Sequence, residues 1–207
     1  MDKKEQILET ALKMFGNNGY EGTSIRDLSA EAGINIAMIN YYFGSKEKLF
    51  EKVIEYKTSY LKNIFLDIVN NKELNHLQKI NTIIVHLVDR MFSHPPFHQL
   101  IHRELSLNHR VSSHDGIIDT LLGNSYIIRD VINDGIKANY FEKVDVELTV
   151  ATLFGTISQL MISEQLCKKM LKKSDNFKPY TDRKFRKRVV DHLTWLAGVL
   201  LIKKETN

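Results

Sequence analysis

Apolar residues along this chain recur at steps of three and four rather than in alternation, the spacing of helices that bury one face. Ile7, Leu8, Ala11, Leu12 and Phe15 form the first such stripe, and the Asn-Asn-Gly at 17–19 supplies its stop. Ile25, Leu28 and Ala32 form the second, which ends at Gly33. Thr23 or Ser24 is suited to cap it, and Ser24 with Asp27 three residues on has the form of a capping box. Asn35 is the N-cap of a short third helix that Gly44 closes. Ser45 or Lys46 then opens a long fourth helix through Leu49, Phe50, Val53, Ile54, Tyr60, Leu61, Ile64, Phe65 and Ile68.

The same pattern continues to the C-terminus. A helix over about 75–93 is broken by His94-Pro95-Pro96, and another covers roughly 97–108. The polar run 108–116 reads as a loop, followed by a helix over about 116–139. Asp145 caps a helix expected to run on to about Leu171, and 172–180 reads as a flexible connection. The last helix carries Phe185, Val189, His192, Leu193, Leu196 and Leu200. The expectation is an all-α chain of about nine helices. Its one domain boundary falls near the middle of the long fourth helix.

Composition agrees with helices. Three prolines and ten glycines in 207 residues leave few breakers, and 43% hydrophobic with 26% charged residues is ordinary for a soluble globular chain. The single Cys167 allows no internal disulfide, and no apolar run approaches the ~20 residues of a membrane helix. The charged, amphipathic start is not a signal peptide, so the cytoplasm is the expected location. The net charge of +4 invites a nucleic-acid reading, but its placement complicates one. In the first fifty residues Lys3, Lys4, Lys13, Arg26, Lys46 and Lys48 stand against acids that include Asp2, Glu5, Glu9, Asp27, Glu31 and Glu47. The excess lies in 168–188, where ten Lys and Arg face only Asp175 and Asp182. That run reads as a solvated loop and helix start, with an anionic ligand or membrane surface as the sharper alternative.

The short third helix carries the functional signal. At 100° per residue Ile36 and Phe43 fall within about 60° of Ile39, whereas Ala37 and Tyr41 point the other way and Met38 and Asn40 flank them. A solvent-facing helix normally shows charge there. Helix, glycine turn and second short helix over 24–43 have the layout of a helix-turn-helix, whose second helix enters the major groove. Apolar side chains suit thymine methyls, Asn40 suits adenine, and tyrosine hydroxyls with Lys46 suit phosphates. Helix N-termini at Thr23/Ser24 and Asn35 add amides for phosphate.

The stretch GYEGTSIRDLSAEAGINIAMINYYFGSKEKLF, residues 19–50, resembles the DNA-binding segment of TetR-type transcriptional regulators. The resemblance is specific over 1–61, including the glycine turn, the Tyr41-Tyr42-Phe43 aromatics and the start of the fourth helix. It implies a three-helix DNA-binding head over 1–61, a ligand-binding and dimerisation domain over 62–207, and a homodimer reading a palindromic operator on double-stranded DNA. By motif position, Thr23, Ser24, Asn35, Tyr41, Tyr42 and Lys46 would hold backbone phosphates. Ile36, Ala37, Met38, Asn40 and Tyr41 would face bases. The chain departs from the family where Lys-Gly-Thr is common, here Ile36-Ala37-Met38, and where Tyr is common, here Asn40.

In the C-terminal part, Phe65, Met91, Phe92, Phe97, Ile101, Tyr126, Phe154 and Met161 are candidates for lining a small-molecule inducer pocket. The fourth helix is the natural lever between ligand and head. Phe185, Val189, Leu193 and Leu196 are expected to face a symmetry mate in a four-helix dimer seam. Two other classes compete with a ligand-responsive repressor. His98, His102 and Glu104 could serve a metal-assisted enzyme, although no nucleophile motif, phosphate loop, cofactor motif or strong metal spacing accompanies them. The near-neutral head would also fit a helical interaction protein without DNA binding.

Overall fold

Caps written into the sequence set most element ends. The computed structural model describes residues 2–106 and 115–202. Among them lie ten α-helices and no strand: α1 (Lys3–Asn18), α2 (Ile25–Ala32), α3 (Ile36–Phe43), α4 (Lys46–Asn70), α5 (His76–Ser93), α6 (Pro95–Ser106), α7 (Asp115–Lys137), α8 (Val146–Met161), α9 (Glu164–Met170) and α10 (Arg183–Leu201). Asn75 and Gln78 form a reciprocal capping box on α5. Asp145 and Asp182 accept the amides of Leu148 and Phe185 at 2.9 and 2.7 Å. Each cap gives an otherwise orphaned N-terminal amide a partner.

Ten helices stand where nine were expected because the helix over 145–171 is two. Ser163 takes an extended backbone and its hydroxyl accepts the Leu166 amide at 3.0 Å. The chain restarts as α9 with a bend of 104°. A serine that offers a local hydrogen bond competes with helix continuation, and here it wins. At His94-Pro95-Pro96 the break occurs as expected, but α6 begins at Pro95 itself. A first-turn proline loses no hydrogen bond, since that amide has no intrahelical partner. Of the loop expected over 108–116, residues 108–114 lie outside the described residues.

The chain forms two compact units, residues 1–60 with 96–122 and residues 61–95 with 123–207. The division within α4 falls between Tyr60 and Leu61. Residues 96–122, read from sequence as part of the C-terminal body, group instead with α1–α3. The reason is burial: Phe97, Leu100 and Ile117 share one core with Ile7, Leu8, Phe15, Leu28, Ile39, Phe43, Phe50 and Val53, and Ile101 packs against it. Phe97 and Ile101 therefore pack in the head, apart from the other pocket candidates in the second unit.

In the second unit α5 and α10 pack along each other. Phe92 meets Tyr180 and Phe185 at ring distances of 6.1 and 5.9 Å, and Arg186 reaches Asp89 at 3.4 Å. Phe65, Met91, Phe92 and Met161 are buried in this core, with Phe154 packed against it. Tyr126 is exposed under the Arg129 guanidinium, 4.8 Å from its ring. The connection over 172–180 is anchored rather than loose. The Tyr180 hydroxyl donates to the Leu160 carbonyl at 3.3 Å, and Phe177 sits edge-on to Phe185 at 5.6 Å.

The α10 stripe expected at a dimer seam packs within its own unit. Phe185, Val189 and Leu193 are buried in the chain's own core, and Leu196 is half-buried. Their stripe is the face that α10 turns toward its own unit. The apolar residues that α10 leaves open are Trp195, 62% exposed, and Val199. On α8 the open ones are Leu148, Ala151 and Gly155. Among the described residues no single helix is long and apolar enough to cross a membrane; α8 and α9 pass such a test only together, across their bend.

Candidate nucleic-acid interface

Two short helices of eight residues each cannot hold themselves in water, so their placement must come from caps and from the core beneath them. On α2 the Ser24 hydroxyl accepts the Asp27 amide at 3.1 Å while Asp27 accepts the Ser24 amide at 3.3 Å, a closed capping box. The Ser24 side-chain and backbone bonds hold the Asp27 carboxyl below its ordinary value. Gly33 ends α2 at φ +63° and ψ +37°, a left-handed conformation that side chains disfavour. The chain then reverses into α3, where the Asn35 side chain accepts the Ala37 amide at 2.9 Å.

Ile39, 1% exposed, and Phe43 pin α3 to the head core. That orientation leaves Ile36, Ala37, Met38, Asn40, Tyr41 and Tyr42 facing outward. Tyr41 is 84% exposed and makes an edge contact with Tyr42 at 5.4 Å. Burying about 25 cal/mol per Å² of apolar surface is what a soluble protein does with aromatics when it can. A tyrosine, a methionine and an isoleucine kept outside on one short helix mark a surface meant to meet something.

The remaining expected contacts divide. Ser24 and Asn35 are exposed, but both side chains already serve as caps. Thr23, expected to reach phosphate, is fully buried and its hydroxyl donates to the Gly19 carbonyl at 2.8 Å. It ties the turn after α1 and has no outward hydroxyl to offer. Lys46 is half-buried, its ammonium 4.2 Å from the centre of the Tyr20 ring. Partial desolvation lowers its pKa against the opposing pull of Glu47 and Glu104. Lys48, two residues on, is exposed.

Sequence reasoning missed Tyr20 and α6. The Tyr20 hydroxyl donates to Glu47 at 2.9 Å, and its ring packs between Phe15 and Phe50 at 5.7 and 5.0 Å. From α6, Arg103 donates to the Phe15 carbonyl at 3.1 Å, closing the C-terminus of α1, and Glu104 accepts the Tyr20 amide at 3.3 Å. The apolar spacing of Phe97, Leu100 and Ile101 signalled a buried face on α6 but not its destination. The His98–His102–Glu104 group of the competing enzyme reading is otherwise engaged: Glu104 serves Tyr20, His98 stacks edge-on against Phe97 at 5.3 Å, and His102 is exposed. Among the described residues no cluster of three or more His, Cys, Asp or Glu is arranged to hold a metal ion.

Comparison with known proteins places this geometry. Residues 7–53 match the family model described as bacterial regulatory proteins, tetR family. Over 163 residues the chain is 31% identical to the HTH-type transcriptional repressor NicS of Pseudomonas putida, covering 72% of this chain and 70% of that one. Over 136 residues it is 26% identical to the probable HTH-type transcriptional regulator YttP of Bacillus subtilis, spanning 65% of each. Among solved structures, the transcriptional regulator FadR of Bacillus subtilis, in complex with stearoyl-CoA, superposes with a TM-score of 0.72 at 19% identity, over 92% of this chain and 97% of that one. That likeness extends the shared fold to the C-terminal unit. With a capped helix-turn-helix presenting an outward α3, and with these relatives, the chain belongs to the TetR family of bacterial transcriptional regulators.

Proposed function

We propose that this protein is a homodimeric repressor that grips operator DNA through α3 and lets go when a small molecule binds its second unit. The observation that carries the reading is the split of α3 into a buried Ile39/Phe43 side and an exposed Ala37/Tyr41 side. A helix held this way has the dimensions and chemistry to lie in a major groove. Tyr41, Tyr42, Lys46 and Lys48 are the phosphate contacts in this proposal, and Ile36, Ala37, Met38, Asn40 and Tyr41 the base contacts. Ser24 and Asn35 contribute as caps that aim the two helices.

Two heads about one helical turn (~34–36 Å) apart read a palindrome, which calls for a dimer. Because the Phe185/Val189/Leu193 stripe is used internally, the partner is met through Trp195 and Val199 of α10 with Leu148, Ala151 and Gly155 of α8. The inducer site lies within the second unit, where Phe65, Met91, Phe92, Phe154 and Met161 can part around an apolar ligand and Tyr126 stands at the surface. Helix α4 belongs to the head up to Tyr60 and to the second unit from Leu61, so ligand-driven movement of one half is felt by the other. A coupling of about 1–3 kcal/mol would change operator affinity roughly 5- to 150-fold.

The experiment is a binding titration against the DNA upstream of the protein's own gene, at several salt concentrations. Saturable binding that falls steeply with salt supports the reading, since phosphate contacts release counterions. Binding no tighter than to unrelated duplex overturns it. Sedimentation of wild type and Trp195→Glu tests the dimer face, with monomer expected for the variant. A Trp195→Glu protein that remains a dimer refutes that assignment.

A further inference from the structure

We infer that the half-site read by α3 consists of A·T base pairs, recognised through thymine methyl groups and the adenine edge. This rests on the DNA-binding reading above and says what that site prefers. Guanine is read in the major groove chiefly by bidentate Arg or Lys, and cytosine by Asp or Glu accepting from its amino group. Helix α3 has no charged side chain along its length, Ile36–Phe43. What it exposes is Ile36, Ala37 and Met38 in its first turn, the part of a recognition helix that reaches base edges, and Asn40 and Tyr41 in its second.

Two of these chemistries have a specific target. The thymine methyl is the one apolar group displayed in the major groove, and Ile36, Ala37 and Met38 offer only carbon and sulfur to meet it. The amide of Asn40 matches the N6/N7 pair of adenine, one accepting and one donating group against one donor and one acceptor. Arg26 on α2 and Lys48 on α4 are exposed but stand off α3 itself, and in this proposal they meet phosphates, which carry no sequence information. A G·C pair placed against the first turn of α3 would strip water from its polar edge with nothing to replace it, a penalty that acts as discrimination.

The test uses the full-length protein and a pool of duplexes with a randomised core. Rounds of selection are expected to yield palindromes whose α3-facing positions are A·T. Thymines in the selected half-site are then replaced one at a time by uracil, which removes the methyl and keeps the pairing. Each contacted thymine is expected to weaken binding roughly fourfold on replacement, the worth of one buried carbon. Ile36→Ala and Met38→Ala should flatten that response, and Asn40→Ala should relax the adenine requirement by roughly 5- to 150-fold. Selected sites with G·C pairs at those positions, or affinities indifferent to uracil throughout, would overturn the inference while leaving the DNA-binding reading intact. Failure to enrich any sequence would overturn the DNA-binding reading and this inference together.

Discussion

Replacing Tyr41 by Ala separates a DNA contact from a structural residue. The ring is 84% exposed and, among the described residues, its one aromatic neighbour is Tyr42, at 5.4 Å edge-on. Losing that contact costs about 0.5 kcal/mol, and the better helix propensity of Ala returns about as much. The unfolding midpoint in urea should therefore stay within about 0.5 kcal/mol of wild type. DNA affinity behaves differently. A hydrogen bond from the hydroxyl to a charged phosphate is worth about 1.5 kcal/mol, so two heads lose about 3 kcal/mol. That corresponds to roughly a 150-fold weaker complex. Fluorescence anisotropy on labelled operator measures it directly. Phe43→Ala, two residues on, is the control: it should cost about 3–5 kcal/mol of stability because it empties a core position. A Tyr41→Ala protein that binds DNA like wild type, or that unfolds as readily as Phe43→Ala, would refute the assignment of inside and outside on α3.

Three further outcomes follow from the same geometry. In Gly135→Ala the new Cβ would collide with the Phe141 ring, so overpacking should cost about 1–3 kcal/mol in urea unfolding, with Phe141→Leu relieving it in the double variant. Arg103→Gln removes the guanidinium that closes α1 at the Phe15 carbonyl and should lower head stability by about 1 kcal/mol, read as faster amide exchange at the end of α1. Burial, followed by hydrogen bonds to Glu5 and Glu9, pushes the Tyr56 hydroxyl up from 10.0 to about 12. The unfolded chain then loses this proton first, so the stabilisation is complete below pH 10.0 and fades as pH rises toward about 12. Alkaline unfolding curves should show Tyr56→Phe losing less stability over that window than wild type.

Much of the head is legible in the sequence itself. The caps at Ser24, Asn35 and Asp145 and the buried phase of α3 follow from local chemistry: hydrogen-bond donors that need partners, and a wheel that sets Ile39 and Phe43 together on the side opposite Ala37 and Tyr41. What sequence could not convey was the destination of each apolar face. The α10 stripe of Phe185, Val189 and Leu193 has the same spacing whether it meets its own unit or a second chain, and periodicity alone does not say which. Likewise α6 advertised a buried face at Phe97 and Leu100 without revealing that its companions were Phe15 and Phe50. Thr23 shows the limit of motif transfer, since a hydroxyl at a contact position was already spent on Gly19. The break at Ser163 was missed because serine in mid-pattern is neutral in propensity and decisive only when its side chain finds an amide.

In the proposed complex Ala37 faces the duplex, and chemical labelling measures that placement. The only native thiol, Cys167, is fully buried, and burial, followed by the nearby Glu164, raises its pKa, so it contributes little background. A maleimide should modify Ala37→Cys rapidly in the free protein and slowly in a complex saturated with selected duplex. Lys62→Cys, exposed on the second unit, should be modified at the same rate in both. Equal rates at position 37 with and without bound DNA would contradict the placement of α3 in the groove.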